Sequence, residues 1–305
     1  MTDPAYWKRY VLELDPDEVE RRIEVVPVRC ADETVELLHL GSRRSDPVVV
    51  ISPGSAGHGY VFAELAYRIH ARGFTVLVMP KQGGRTITEL VDRHDAALRA
   101  IATRWNDNIG VFGEGLGGYV VFYLALRGGP LRSAIYQNAP AILDEPAFRA
   151  AVMSGTGSKR RTALLPLIRA AARVFPRMKL PISAYLDFRD MVDPVEPTHA
   201  VEARLIESYL GDPHFDRRYP LAAILSLLDT PPPRPLETLS VPTMFIVPSR
   251  GFAPEYARGL FARLPAIDKE LVEIDGSVFW MVSHSAAAAD LICGRFQRTL
   301  AAVAA

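Results

Sequence analysis

The stretch Val111-Phe-Gly-Glu-Gly-Leu-Gly-Gly-Tyr119 decides how this chain folds. Asn108-Ile-Gly-Val-Phe112 has the length and apolar character of a buried strand, and residues 116–127 continue as an apolar helix. Between them the backbone turns through glycines. A strand that passes through a tight turn straight into a helix is the unit of a parallel sheet covered on both faces. The same alternation extends outward in both directions. Strands are predicted at 23–30, 34–40, 47–52, 74–79, 132–136, 242–247 and 269–274, and helices at 5–21, 60–72, 87–105, 254–264 and 284–303. The fold class is therefore α/β.

Residues 141–235 break this rhythm. They read as helices punctuated by proline and end in Thr230-Pro-Pro-Pro-Arg-Pro235. The chain divides on this reading into a first core part (1–140), a helical cap inserted at 141–235, and a second core part (236–305). Open α/β sheets bind ligands at the carboxyl ends of their strands, and a cap placed there would cover a ligand. From Pro146 to Leu186 there are eight Lys or Arg residues (Arg149, Lys159, Arg160, Arg161, Arg169, Arg173, Arg177, Lys179) and no Asp or Glu. That run reads first as a solvated helix face, and second as a surface that touches an anionic partner.

The whole chain of 305 residues is 49% apolar with zero formal net charge. A large core is expected, and no attraction to nucleic acid. Two cysteines, Cys30 and Cys293, give no metal-type spacing and suit a reducing compartment. Met1-Thr-Asp-Pro-Ala-Tyr-Trp-Lys8 has no apolar h-region, and no run is long enough to span a membrane. A cytoplasmic location with no cofactor and no metal is the resulting expectation.

Gly113-Glu-Gly-Leu-Gly117 has the form of a G-x-S-x-G nucleophile elbow with glycine where the serine belongs. Three further segments accompany it: Val48-Val-Val-Ile-Ser-Pro-Gly-Ser-Ala-Gly57, Tyr209-Leu-Gly-Asp-Pro-His-Phe-Asp-Arg-Arg-Tyr219 and Ile274-Asp-Gly-Ser-Val-Phe-Trp-Met-Val-Ser-His284. In this order and spacing the chain resembles the α/β-hydrolase superfamily, and within it the monoacylglycerol lipase and serine aminopeptidase branch. The resemblance implies a mostly parallel eight-stranded sheet with helices on both faces and a helical cap. It places the nucleophile at Gly115, the acid at Gly251 and the base at Val278, none of which can do that chemistry. The Gly-His-Gly-x-Ser turn of the branch is altered too, to Gln82-Gly-Gly-Arg-Thr86. Serine, histidine and carboxylate act as one unit, so loss of the first removes the task of the others. Glycine at the elbow also relieves strained backbone.

What the resemblance leaves is an oxyanion hole, formed by the backbone N–H groups of Leu116 and Ser55 and helped by the helix that starts at Leu116. Gly54, Ser55, His58, Gly115, Leu116 and Val278 are the expected ligand-binding positions. Glu114 reads as a supporting acid. His94 reads as a surface residue in mid-helix, His284 as structural, His199 and His214 as cap residues, and Cys293 as core. Ser55 and Ser277 lack an evident base. Gly113-x-Gly115-x-x-Gly118 also spells a dinucleotide fingerprint, but it follows an inner strand, and the next strand ends Gln137-Asn138 without the acid that a ribose requires.

The expected function is a triad-less relative of the hydrolases that holds a small apolar carbonyl or carboxylate ligand under the cap. The alternative is a non-hydrolytic enzyme (lyase, isomerase or cyclase type) using the oxyanion donors. A hydrolase with a substitute nucleophile ranks third.

Overall fold

The computed structural model describes residues 5–30, 33–41, 46–55, 57–138, 140–152, 158–181, 200–251 and 253–300. Eight strands form one sheet: β1 (Glu24–Cys30), β2 (Glu33–Leu40), β3 (Val48–Ser52), β4 (Thr75–Val78), β5 (Ile109–Glu114), β6 (Ser133–Gln137), β9 (Thr243–Arg250) and β10 (Lys269–Ser277), in the order β1-β2-β4-β3-β5-β6-β9-β10. The pairs β1·β2 and β2·β4 are antiparallel and every other pair is parallel.

The inner strands are apolar because both faces are covered. All five residues of β3 are buried. Val49 and Ile51 point to one cluster with α2 (Ala63–His70) and α11 (Ser285–Leu300), while Val48 and Val50 point to the other with α3 (Ile87–Arg104) and α4 (Leu116–Arg127). This is the two-residue period of a strand applied to a double-sided core. α9 (Pro254–Arg263) packs beside β9 on the second face.

Local chemistry sets the ends of elements. The expected helix at 5–21 is two pieces, a 3₁₀ turn at Tyr6–Tyr10 and α1 (Pro16–Arg22), because Asp15 caps the Asp17 N–H and Pro16 takes the first helical position. Thr86 and Glu89 form a reciprocal capping box that starts α3. The expected helix at 60–72 likewise begins as a 3₁₀ turn, Gly59–Phe62, before α2. The last helix follows a short separate turn, α10 (Trp280–Ser283).

Between β6 and β9 lie α5 (Pro146–Val152), α6 (Ser158–Val174), α7 (Ala200–Gly211) and α8 (Leu221–Asp229). They are joined by a small antiparallel pair that the helical reading did not contain, β7 (Lys179–Pro181) with β8 (Arg218–Pro220). His199 and residues 182–198 lie outside the described residues. Among the described residues, no helix is long and apolar enough to cross a membrane.

Candidate functional site

β5 ends at Glu114, and α4 begins at Leu116, leaving one residue to reverse the chain. Gly115 does this with φ 50° and ψ −117°, a conformation that L side chains rarely adopt. Its N–H donates to the Gln137 carbonyl at 3.1 Å, which ties the turn to the end of β6. The neighbouring glycines serve a different purpose. A Cβ on Gly117 would run into the Ser52 carbonyl, and one on Gly113 would lie 2.7 Å from the Gly117 carbonyl oxygen. At Gly115 the nearest atom to such a Cβ is the Gly54 Cα, at 3.6 Å. Gly113 and Gly117 are fixed by close packing; Gly115 is fixed by backbone angle alone, with space above it.

That space is a cavity of about 140 Å³. Gly54 and Ser55 from the loop after β3, Gly115 and Leu116 at the turn, and Val278 after β10 all line it. Five of the six expected ligand-binding positions thus meet in one place. Phe148, Tyr209, Ile224, Leu227 and Leu228, from the segment between β6 and β9, supply apolar wall on the far side. Among the described residues, no His, Lys, Arg or Cys lines the cavity.

His58 is the sixth, and it points elsewhere. Its Nε2 lies 2.9 Å from Asp212 Oδ2, and it is absent from the cavity wall. Asp212 also accepts from Tyr10 Oη at 2.7 Å and from the His214 N–H at 2.7 Å. Burial draws the His58 pKa below its ordinary value. Asp212 is held below the usual carboxylate range by hydrogen bonds from His58, His214 and Tyr10, which outweigh its burial. This network connects the N-terminal segment, the loop after β3 and the Asp212 turn.

The polar side of the cavity is made by Glu114 and Asn138. Glu114 Oε1 accepts from Asn138 Nδ2 at 3.0 Å, and its carboxylate also accepts the Gly54 N–H. A Cβ on Gly54 would overlap Glu114 Oε2, so glycine is what lets the carboxyl rest against this loop. No cation neutralises it among the described residues, and burial pushes its pKa up to about 7. Tyr119 and Tyr209 also line the cavity, and the nearby Glu114 charge adds to burial in raising both phenols.

Asn138 was not expected at the site. It follows β6 with φ 62°, uncommon for a residue with a Cβ, and is almost fully buried. Its Nδ2 is 3.5 Å from the Val278 carbonyl, and a Cβ on Gly251 would stand 2.9 Å from its Oδ1. Its side chain thus reaches Gly251 and the Val278 backbone as well as Glu114. The sequence offered one signal, a polar Gln-Asn pair at the carboxyl end of a buried parallel strand.

One hydroxyl–imidazole pair in the core needs separate mention. Ser52 Oγ lies 2.8 Å from His94 Nε2, while His94 Nδ1 faces the Leu90 carbonyl at 2.8 Å. The expectation of a surface His94 is corrected here: the residue is fully buried, on the face of α3 that packs against the sheet. Burial lowers its pKa to about 4, and neither partner lines the cavity. Its Nδ1–H is donated to Leu90, so Nε2 accepts from Ser52 or from Gln82 Nε2, 3.2 Å away. This is a satisfied core histidine. His284 is exposed and stacks on Trp280, and Cys293 is buried in α11 as expected.

No family model matches the chain, and no curated protein does. Solved structures are similar in fold. The complex of DcsB with its substrate analogue aligns with a TM-score of 0.67 at 17% identity, over 92% of this chain and 99% of that one. The alpha/beta hydrolase GrgF from Penicillium sp. sh18 gives 0.66 at 19% identity, over 92% and 99%. The monoacylglycerol lipase of Paleococcus ferrophilus gives 0.63 at 17% identity, over 86% and 99%. Likeness at this identity concerns architecture rather than activity: the chain has the α/β-hydrolase fold.

Proposed function

We propose that this protein holds a small, largely apolar carbonyl or carboxylate compound in the cavity above Gly115 and does not hydrolyse it by serine-type covalent catalysis. The observation that carries the reading is the turn at Gly115. It has the backbone geometry of an elbow and room for a side chain, yet bears none. Among the described residues, no imidazole lines the cavity to activate a substitute such as Ser55.

Binding is supported by what remains. As the first residue of α4, Leu116 has an N–H without an intrahelical partner, and the helix end favours negative charge. With the Ser55 N–H it forms the proposed oxyanion hole facing an apolar wall. The volume is close to that of engineered apolar cavities, about 150 Å³, that take up benzene. A single ring or a short acyl chain matches this size. The segment from α5 to α8 acts as the cap in this reading, since α5, α7 and α8 supply the far wall.

The test has two arms. A fluorophosphonate probe should leave the protein unlabelled, and short nitrophenyl esters should not be turned over. A thermal-shift screen of single-ring ketones and short carboxylic acids should yield stabilising ligands. Labelling at any residue lining the cavity refutes the reading.

We further infer that the basic part of the cap touches anionic lipid. Leu167, Val174 and Phe175 are 65%, 69% and 60% exposed, on and just after α6, with Met178 close behind. Arg173, Arg177 and Lys179 are exposed among them. Apolar side chains mixed with uncompensated basic ones are the composition of an interfacial surface.

A further inference from the structure

We propose that Glu114 is the proton-transfer group of this cavity, and that the compound bound there is a small β,γ-unsaturated ketone or related carbonyl whose double bond is moved into conjugation. The proposal rests on the ligand-binding reading above and goes beyond it by giving the site a reaction.

Among the described residues, Glu114 is the only ionisable group other than the two tyrosines that lines the cavity. Its partners are two donors, the Asn138 amide nitrogen and the Gly54 N–H, and no cation among the described residues neutralises the carboxylate that they hold. The carboxyl is nevertheless held firmly. Asn138 Nδ2 fixes one oxygen at 3.0 Å, from a residue kept in a left-handed conformation that few side chains adopt. The loop at Gly54 is shaped so that the other oxygen rests against it. Ser55 is the next residue in that loop, and Leu116 lies two residues beyond Glu114. A carbonyl compound received by those two N–H groups would share the cavity with a carboxyl held in place by Asn138.

The chemistry balances without a co-reactant. The Glu114 carboxylate takes the proton from the α-carbon, and the C–H bond breaks. The electron pair forms a dienolate whose charge rests on the carbonyl oxygen, where the Leu116 and Ser55 N–H groups stabilise it. The new Glu114 O–H then gives its proton to the γ-carbon. The carbonyl re-forms, and the carbon–carbon double bond ends one position nearer to it. Nothing is oxidised or reduced, and Glu114 is regenerated. A carboxyl lifted toward neutrality by burial suits both halves of this cycle, as a base whose conjugate acid is still able to donate.

Cyclohex-3-enone is the probe. Binding is read by saturation-transfer NMR, and reaction by ultraviolet absorbance of the conjugated enone and by deuterium uptake in D₂O. The expected result is isomerisation faster than in buffer, with kcat/KM rising through a group near pH 7. Glu114→Gln should lose about 10²–10⁴-fold in rate with binding retained. If that variant folds poorly, Glu114→Ala should be rescued in part by added formate. Bound probe with no acceleration, or a Glu114→Gln enzyme as fast as the parent, overturns the proposal and leaves the binding reading standing. Failure of both cyclohex-3-enone and phenylacetone to bind overturns the two together.

Discussion

Asn138 Nδ2 donates to Glu114 Oε1 across 3.0 Å, from the end of one parallel strand to the end of its neighbour. The donor comes from a residue at φ 62°, and the acceptor is a carboxyl with no cation beside it. The hydrogen bond favours the charged form of Glu114 and opposes the larger effect of burial. Asn138→Gly removes the donor and leaves a residue that accepts this backbone angle without strain. The Glu114 titration, followed by the ¹³C shift of its carboxyl, should then move above about 7, by on the order of one pH unit. A downward movement would show that Asn138 does not hold the charged form.

The pH dependence of stability tests the same carboxyl. Its pKa rises from 4.5 in the unfolded chain to about 7 in the fold, so the native state binds the extra proton between those values. This contribution is fully present below pH 4.5 and is lost as pH rises through 7, amounting to about 3 kcal/mol. His94 acts in the opposite sense. Its pKa falls from 6.5 to about 4, so its contribution is present above pH 6.5 and is lost as pH falls through 4. The two slopes offset each other in the parent protein. Glu114→Gln should gain stability relative to the parent as pH rises from 5 to 8, read from urea midpoints. A difference that stays constant with pH would show that Glu114 titrates normally.

The inner strands and their two-sided burial were legible because β3, β5 and β6 are short apolar runs between glycine and proline punctuation. The elbow was legible for the same reason, since Gly113 and Gly117 answer to packing that no other residue satisfies. The polar half of the site was not. Asn138 and Glu114 become partners only through the β5·β6 register, which sets Glu114 beside Gln137. His58 sat in the right loop but was claimed by Asp212, a residue 154 positions away. His94 read as surface because its residue type is polar, although Leu90, Val91, Ala97 and Leu98 mark its face of α3 as buried. The antiparallel pair β7·β8 has strands of three residues each, too short to carry a period, and they lie far apart in sequence.

Asp212 should matter for stability rather than for chemistry. It is buried and accepts from Tyr10, His58 and the His214 N–H, joining segments distant in sequence. Asp212→Ala leaves those donors unpaired and should cost about 2–4 kcal/mol, with a parallel fall in melting temperature. Ligand affinity measured well below the melting transition should change little. A large affinity loss with unchanged stability would place Asp212 in the ligand site.

The exposed basic and apolar side chains at the end of α6 predict salt-sensitive lipid binding. Vesicles containing phosphatidylserine should sediment the protein at low ionic strength, and pure phosphatidylcholine vesicles should not. Phe175→Ser and the pair Arg173→Ala with Arg177→Ala should each weaken binding, the first with little change in salt dependence and the second with a reduced one. Equal binding to both kinds of vesicle would exclude an electrostatic contribution.

The glycines of the turn separate backbone strain from close packing. Gly117→Ala places a Cβ against the Ser52 carbonyl, which belongs to a fully buried central strand and has nowhere to move. The expected outcome is failure to fold, or a loss above about 3 kcal/mol, as for other rigid overpacked positions. The Cβ of Gly115→Ser meets nothing closer than 3.6 Å, so its main cost is the positive φ, about 1–3 kcal/mol. It should fold, keep its melting transition within several degrees of the parent, and point its hydroxyl into the cavity. Among the described residues no imidazole lines that cavity, so the new serine should remain unlabelled by a fluorophosphonate. Adding Val278→His supplies the base from the aligned position, and any labelling should appear only then. Labelling of Gly115→Ser by itself would mean that another group in the cavity, Glu114 first among them, is able to take the serine proton.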